Sequence, residues 1–117
     1  QISNLEKLRT FSLSSGSNEY VAKLPPDLWL LPSLEDLTLR GFGEGIIPEA
    51  AFGDNSGWRS ISVEFARLTG GIPTTIGYLD SLTTLRLVDT FIEGQLPTEI
   101  GLCTKLKTLD IDENSIT

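Results

Sequence analysis

The chain repeats itself every 24 residues. Aligned on the apolar pattern L-x-x-L-x-L, five copies fall into one register: Leu8-Phe11-Leu13, Leu34-Leu37-Leu39, Trp58-Ile61-Val63, Leu82-Leu85-Leu87 and Leu106-Leu109-Ile111. Their first members lie 26, 24, 24 and 24 residues apart. A fixed period of this length excludes most folds, because each unit must bring the backbone back to an equivalent place and bury its apolar row against its neighbours.

Between the copies stands a second landmark, an aliphatic residue followed by proline: Leu24-Pro25, Ile47-Pro48, Ile72-Pro73 and Leu96-Pro97. Gly45, Gly70 and Gly94 precede it by two or three positions, where a tight turn with an unusual backbone angle costs least for glycine. L-x-L is period 2, so each copy predicts a short strand with alternate side chains buried. Proline then ends ladder pairing, since it lacks the donor N–H. The following P-x-x-I-G-x-L (Pro73, Ile76, Gly77, Leu79) suits one short helical turn. The predicted fold is an α/β solenoid that advances by one strand spacing, about 4.8 Å, per unit.

The pattern L-x-x-L-x-L…G-x-I-P-x-x-I-G-x-L resembles the 24-residue leucine-rich repeats of the plant-type subclass, found in receptor-like kinase ectodomains and polygalacturonase-inhibiting proteins and abundant in diatom proteins of this family. The resemblance implies one array over residues 1–117: a right-handed coil with a parallel β-sheet on its concave face, short helical turns on its convex side and about 4.5 to 5 repeats. The family usually carries Asn shortly after the strand. Here that column reads Gly16, Phe42, Ala66, Thr90 and Asn114, which predicts a less rigid array. The first repeat is two residues long, with a polar insertion around Ser14 to Glu19; the second is one short before its proline, and Glu49 to Phe52 carries one extra. Asn55 and Cys103 take the slot that Leu31 and Leu79 fill. The chain has no Met and none of the family's Cys-containing caps, so it is expected to belong to a longer array and, alone, to be marginally stable.

Composition narrows function. A net charge of −7 opposes both phosphate neutralisation and docking on anionic lipid, so nucleic acid and direct membrane contact are not expected. No apolar run approaches the roughly 18 residues of a membrane helix. The absence of His removes the commonest general base and the commonest metal ligand, and with Cys103 as the one cysteine and no phosphate-cradling loop neither a catalytic triad nor a nucleotide site can be assembled, so no cofactor is expected. The sequence has no N-x-S/T sequon.

Function is then expected on the strand residues that alternate with the buried ones and share one sheet face. Residues 24 apart lie side by side, which sets Arg40 against Glu64 and Arg86 against Asp110. The candidate ligand-binding residues are Arg40, Glu64, Arg86, Asp110, Asp112, Thr38 and Ser62. Asp89, Asp110, Asp112 and Glu113 form an acidic cluster that lacks the liganding pattern of a calcium loop and better suits a basic peptide. Trp58 occupies a core leucine slot; Trp29, in the column of Gly77 and Gly101, and Phe65 and Phe91 just past their strands are expected either partly exposed on the ridge or filling gaps left by the missing Asn column. The plainer reading of the face is a solvated, β-favouring surface with internally paired charges. Adsorption to ice or wall polymer through Thr10, Ser60, Thr84 and Thr108 is disfavoured, because Asp36 interrupts that column. Five strands span only about 20 Å, so this segment is expected to hold part of a binding surface.

The expected function is a non-catalytic recognition module that takes a protein or peptide ligand, or a glycan, in a receptor-like or secreted protein at the cell surface or outside the cell. The alternatives are an intracellular (cytoplasmic) scaffold, or the repeat part of a receptor-like protein kinase.

Overall fold

The computed structural model describes residues 7–14, 26–42, 44–53 and 57–116. Gly16, the polar insertion beyond Ser14, Leu24-Pro25 and Asn55 lie outside them. The described residues hold nine strands: β1 (Thr10–Ser14), β2 (Asp36–Arg40), β3 (Glu44–Gly45), β4 (Ser60–Glu64), β5 (Arg67–Leu68), β6 (Thr84–Val88), β7 (Glu93–Gly94), β8 (Thr108–Asp110) and β9 (Ser115–Ile116).

The period-2 rows become one parallel sheet in the order β1-β2-β4-β6-β8. Its register follows the sequence period: Phe11 pairs with Leu37, Leu37 with Ile61, Ile61 with Leu85 and Leu85 with Leu109. Stacking decides how well each row is buried. Leu39 and Leu87, on inner strands, are fully covered, whereas Leu13 on β1 is 46% exposed and Leu109 on β8 is 42% exposed. An inner side chain is flanked on both sides along the stack, an outer one on a single side.

After each proline the chain makes one 3-10 turn: Pro26–Leu30, Glu49–Phe52, Thr74–Tyr78 and Thr98–Leu102. Pro73 and Pro97 enter at φ −64° and −61°, angles the pyrrolidine ring sets in advance. Ile76 N then donates to Pro73 O and Ile100 N to Pro97 O, both at 3.1 Å. The apolar residue of each turn faces inward: Leu28, Phe52 and Ile76 are buried, and Ile100 is partly buried.

Three local features differ from the sequence expectation. Gly70 and Gly94 do adopt positive φ, +80° and +87°, but Gly45 does not: it is extended and pairs with Leu68 in the short β3–β5 ladder. A second left-handed column, 24 residues apart, runs through Gly41, Phe65 and Asp89, each just past its strand, and Glu113, with φ of 83°, 53°, 54° and 61°. Three of these four are not glycine, and each such residue costs about 1–2 kcal/mol of local strain, which the ladders on either side must offset.

Trp29 is the clearest correction. It is not on the ridge; it is 1% exposed. The physical reason is the direction its column points. A Cβ added at Gly77 would lie 3.0 Å from Glu99 Cβ in the following unit, so side chains here project along the stack. The indole turns inward and meets Phe52 and Trp58 with ring centroids 6.3 and 6.0 Å away.

Of the former Asn column, Phe42, Ala66 and Thr90 are all buried. Asn114 alone ties backbone to backbone. Its Oδ1 accepts from Thr90 N and Thr90 Oγ1 at 2.9 Å and from Ile92 N at 3.2 Å. Its Nδ2 donates to Leu87 O, to Ile111 O at 3.0 Å and to Asp112 O at 3.1 Å.

Candidate ligand-binding face

Alternation along the strands puts Leu37, Leu39, Ile61, Val63, Leu85 and Leu87 inside, and therefore puts their neighbours on the opposite, open face of the sheet. The register brings Thr38 beside Ser62, Arg40 beside Glu64, and Arg86 between Ser62 and Asp110. Four of the expected site residues join in one row of charge across four strands. Arg40 Nη1 meets Glu64 Oε2 at 2.5 Å, Arg86 Nη2 meets Glu64 Oε1 at 2.8 Å, and Arg86 Nε lies 3.7 Å from Asp110 Oδ2. Arg86 Nη1 also donates to Ser62 Oγ at 3.2 Å.

The link between Arg86 and Glu64 is not a direct cross-strand pair, since Glu64 stands opposite Val88. It is a diagonal contact, which long side chains can span. Counting residues 24 apart finds direct partners only; adding the diagonal would have found Glu64 as the carboxylate shared by two guanidiniums. The pairs are partly exposed, so their net stabilisation is small, about 0.2–1 kcal/mol each. What they do is hold the arginines in a fixed lateral order.

Asp112 does not join this row. β8 ends at Asp110, and Asp112 lies past it, exposed, with its carbonyl accepting from Asp89 N at 3.1 Å. Thr38 is exposed beside the row. Among the described residues no group of three or more His, Cys, Asp or Glu could hold a metal ion.

At the C-terminal edge of the face two aromatic residues carry cations. Arg40 lies over the Phe65 ring, 4.5 Å from its centroid, and Arg67 over Phe91 at 5.6 Å. Phe65 is half-buried and Phe91 is 48% exposed. Both sit at positive φ, which a bulky residue rarely adopts. The sequence marks these aromatics as exposed but gives no sign of their arginine partners, because no fixed spacing links them.

Cys103 takes the other route, inward. It is buried, with Sγ 3.2 Å from Ile76 O, and burial pushes its thiol pKa up from the ordinary 9.0. A raised folded-state pKa means that the thiol's contribution to stability is intact below the unfolded pKa and falls as pH rises through the folded one. Two outcomes are expected: the native thiol reacts with an aromatic disulfide reagent at pH 8 at least about tenfold more slowly than the urea-unfolded thiol, and Cys103→Ala removes part of the stability loss above pH 9. Equal reaction rates would overturn this account of a sealed thiol.

No family model matches the sequence, and no curated protein matches it either. Solved structures do. The chain is similar to the leucine-rich-repeat ectodomain of the plant membrane receptor kinase GASSHO1/SCHENGEN3 from Arabidopsis thaliana, determined in complex with CASPARIAN STRIP INTEGRITY FACTOR 2. Identity is 29% and the TM-score 0.85, over 99% of this chain and 14% of that one. It is similar to PEPR1 in the PEPR1-AtPEP1 structure, with 29% identity and TM-score 0.83 over 98% of this chain and 16% of that one. The plant peptide hormone receptor RGFR1, in complex with RGF2, matches at 29% identity and TM-score 0.78, over 98% and 18%. The chain thus spans between 14% and 18% of these three receptors. Its structural neighbours are plant leucine-rich-repeat receptor ectodomains, and the plant-type repeat read from the sequence is the fold they share with it.

Proposed function

We propose that this chain is a stretch of a right-handed leucine-rich-repeat solenoid of about 4.5 to 5 repeats, that its open sheet face is concave, and that this face is a non-catalytic recognition surface for a peptide or protein at the cell surface or outside the cell. The observation that carries the reading is the row Arg40, Glu64, Arg86 and Asp110, fixed across four adjacent strands of the open face. The similarity to receptor ectodomains determined with CASPARIAN STRIP INTEGRITY FACTOR 2 and RGF2 supports it. Thr38 and Ser62 supply hydroxyls beside the charges, and Asp112 extends the acidic end. Both signs are present and partly exposed, so an extended ligand can exchange its own charges for the internal pairs with little net loss of ion pairing.

Linear peptides selected from a displayed library on the protein provide the test. Binders to this face should lose at least about 2 kcal/mol of affinity when Arg40, Glu64 and Arg86 are replaced together by alanine, with the circular dichroism spectrum unchanged. Selected peptides that bind the triple variant as tightly as the parent would refute the site.

A further inference from the structure

A second polar constellation lies off the sheet face, just before the strands begin. Arg59 N and Ser60 N both donate to Glu35 O, at 2.8 and 3.0 Å; Thr83 N donates to Arg59 O and Lys107 N to Thr83 O, each at 2.8 Å. These bonds fix a rigid margin along the starts of β4, β6 and β8. Beside it is an open groove of about 440 Å3, lined by Glu35, Gly57, Arg59, Ser81, Thr83 and Lys105. Its volume falls within the range of small-molecule sites.

The lining has a definite polarity. Gly57 and Ser81 occupy one column and keep one wall low. Arg59 and Lys105 are exposed, and neither forms an ion pair with a described residue. The one carboxylate in the groove, Glu35, is engaged by Arg9 Nε at 3.8 Å. Thr83 Oγ1 donates to Arg59 O at 3.0 Å, which pins the hydroxyl while leaving a lone pair to accept. In a chain of net charge −7, two unpaired cations sharing one concavity with hydroxyls form a local reversal of sign, and such a reversal favours anions.

We propose that this groove binds a small polar ligand bearing an oxyanion, a carboxylate or a phosphate. Arg59 and Lys105 hold the oxyanion, the Ser81 hydroxyl donates to it, and Glu35 accepts from a hydroxyl or amine on the same ligand. Glu35 is what selects against a bare anion, since its charge repels any ligand that does not offer it a donor. The groove shares no residue with the sheet-face row, so either assignment can fail while the other stands.

The protein labelled with nitrogen-15 and titrated separately with glycerol 3-phosphate, glycerate, inorganic phosphate and glycerol tests this. The first two should give saturable shifts of the Gly57, Ser81 and Thr83 amides by about 20 mM, a weak-affinity range set by few contacts. The tighter of the two assigns the oxyanion as phosphate or carboxylate. Inorganic phosphate should bind more weakly than glycerol 3-phosphate, and glycerol not at all. Arg59→Gln with Lys105→Gln should weaken binding at least about tenfold, as should Ser81→Leu, which narrows the groove without touching its charges; Arg67→Gln, outside the groove, should not. Shifts that fail to saturate, or that survive the double substitution, would overturn the proposal.

Discussion

Replacing Asn114 by alanine should lower the unfolding free energy by about 2–4 kcal/mol, an effect out of proportion to a half-buried polar side chain. The amide serves three donors through Oδ1 and three carbonyls through Nδ2. Two of those donors, Thr90 N and Thr90 Oγ1, belong to a residue that is fully buried. Alanine leaves them without a partner and too enclosed for water to replace the amide, and an orphaned buried donor loses its full solvation. Urea denaturation of the variant measures the loss. Amide exchange locates it: Thr90 and Ile92 should lose protection while Ile61 on β4 keeps it. Asn114→Asp separates geometry from chemistry, since it retains Oδ1 but cannot donate to Leu87 O, Ile111 O and Asp112 O. It should cost nearly as much. A loss below about 0.5 kcal/mol in the alanine variant would show that this column is held by packing alone.

The repeat period explains why so much of the fold can be read from the letters. A parallel sheet built on a fixed period places residues one period apart in register, so the ladder from Phe11 to Leu109 and the Arg40–Glu64 and Arg86–Asp110 neighbours follow from counting. What counting does not carry is anything set by side-chain length or backbone angle. The Glu64–Arg86 contact is diagonal. The left-handed column runs through Phe65, Asp89 and Glu113, residues chosen for something other than their backbone preference. The direction of Trp29 is not legible because its column is glycine in later units, and an absent side chain does not show which way a present one would point. The groove at Arg59 and Lys105 escaped for a related reason. Its members come from two columns two residues apart in three successive units, and only the folded stack brings them to one concavity.

The aromatic group shared by the first three units yields the other large effect. Trp29, Phe52 and Trp58 are each at most 2% exposed, with ring centroids 6.0 to 6.3 Å apart, and the Phe52 ring stands nearly perpendicular to both indoles. Trp58→Ala should cost about 3–5 kcal/mol, because no neighbouring side chain is free to refill an indole's volume between two ordered rings. Phenylalanine substitutions then divide the two tryptophans by their nitrogen atoms. Trp58 Nε1 donates to Ala51 O at 2.8 Å in a buried setting, so Trp58→Phe loses area and strands a carbonyl, for about 1–3 kcal/mol. Trp29 Nε1 is buried with no partner among the described residues. Trp29→Phe therefore discards an unsatisfied donor along with some packing, and the two changes should nearly cancel, leaving the variant within about 1 kcal/mol of the parent. Denaturation of both phenylalanine variants under one condition decides the matter. If Trp29→Phe destabilises as much as Trp58→Phe, packing area and not hydrogen bonding governs this cluster.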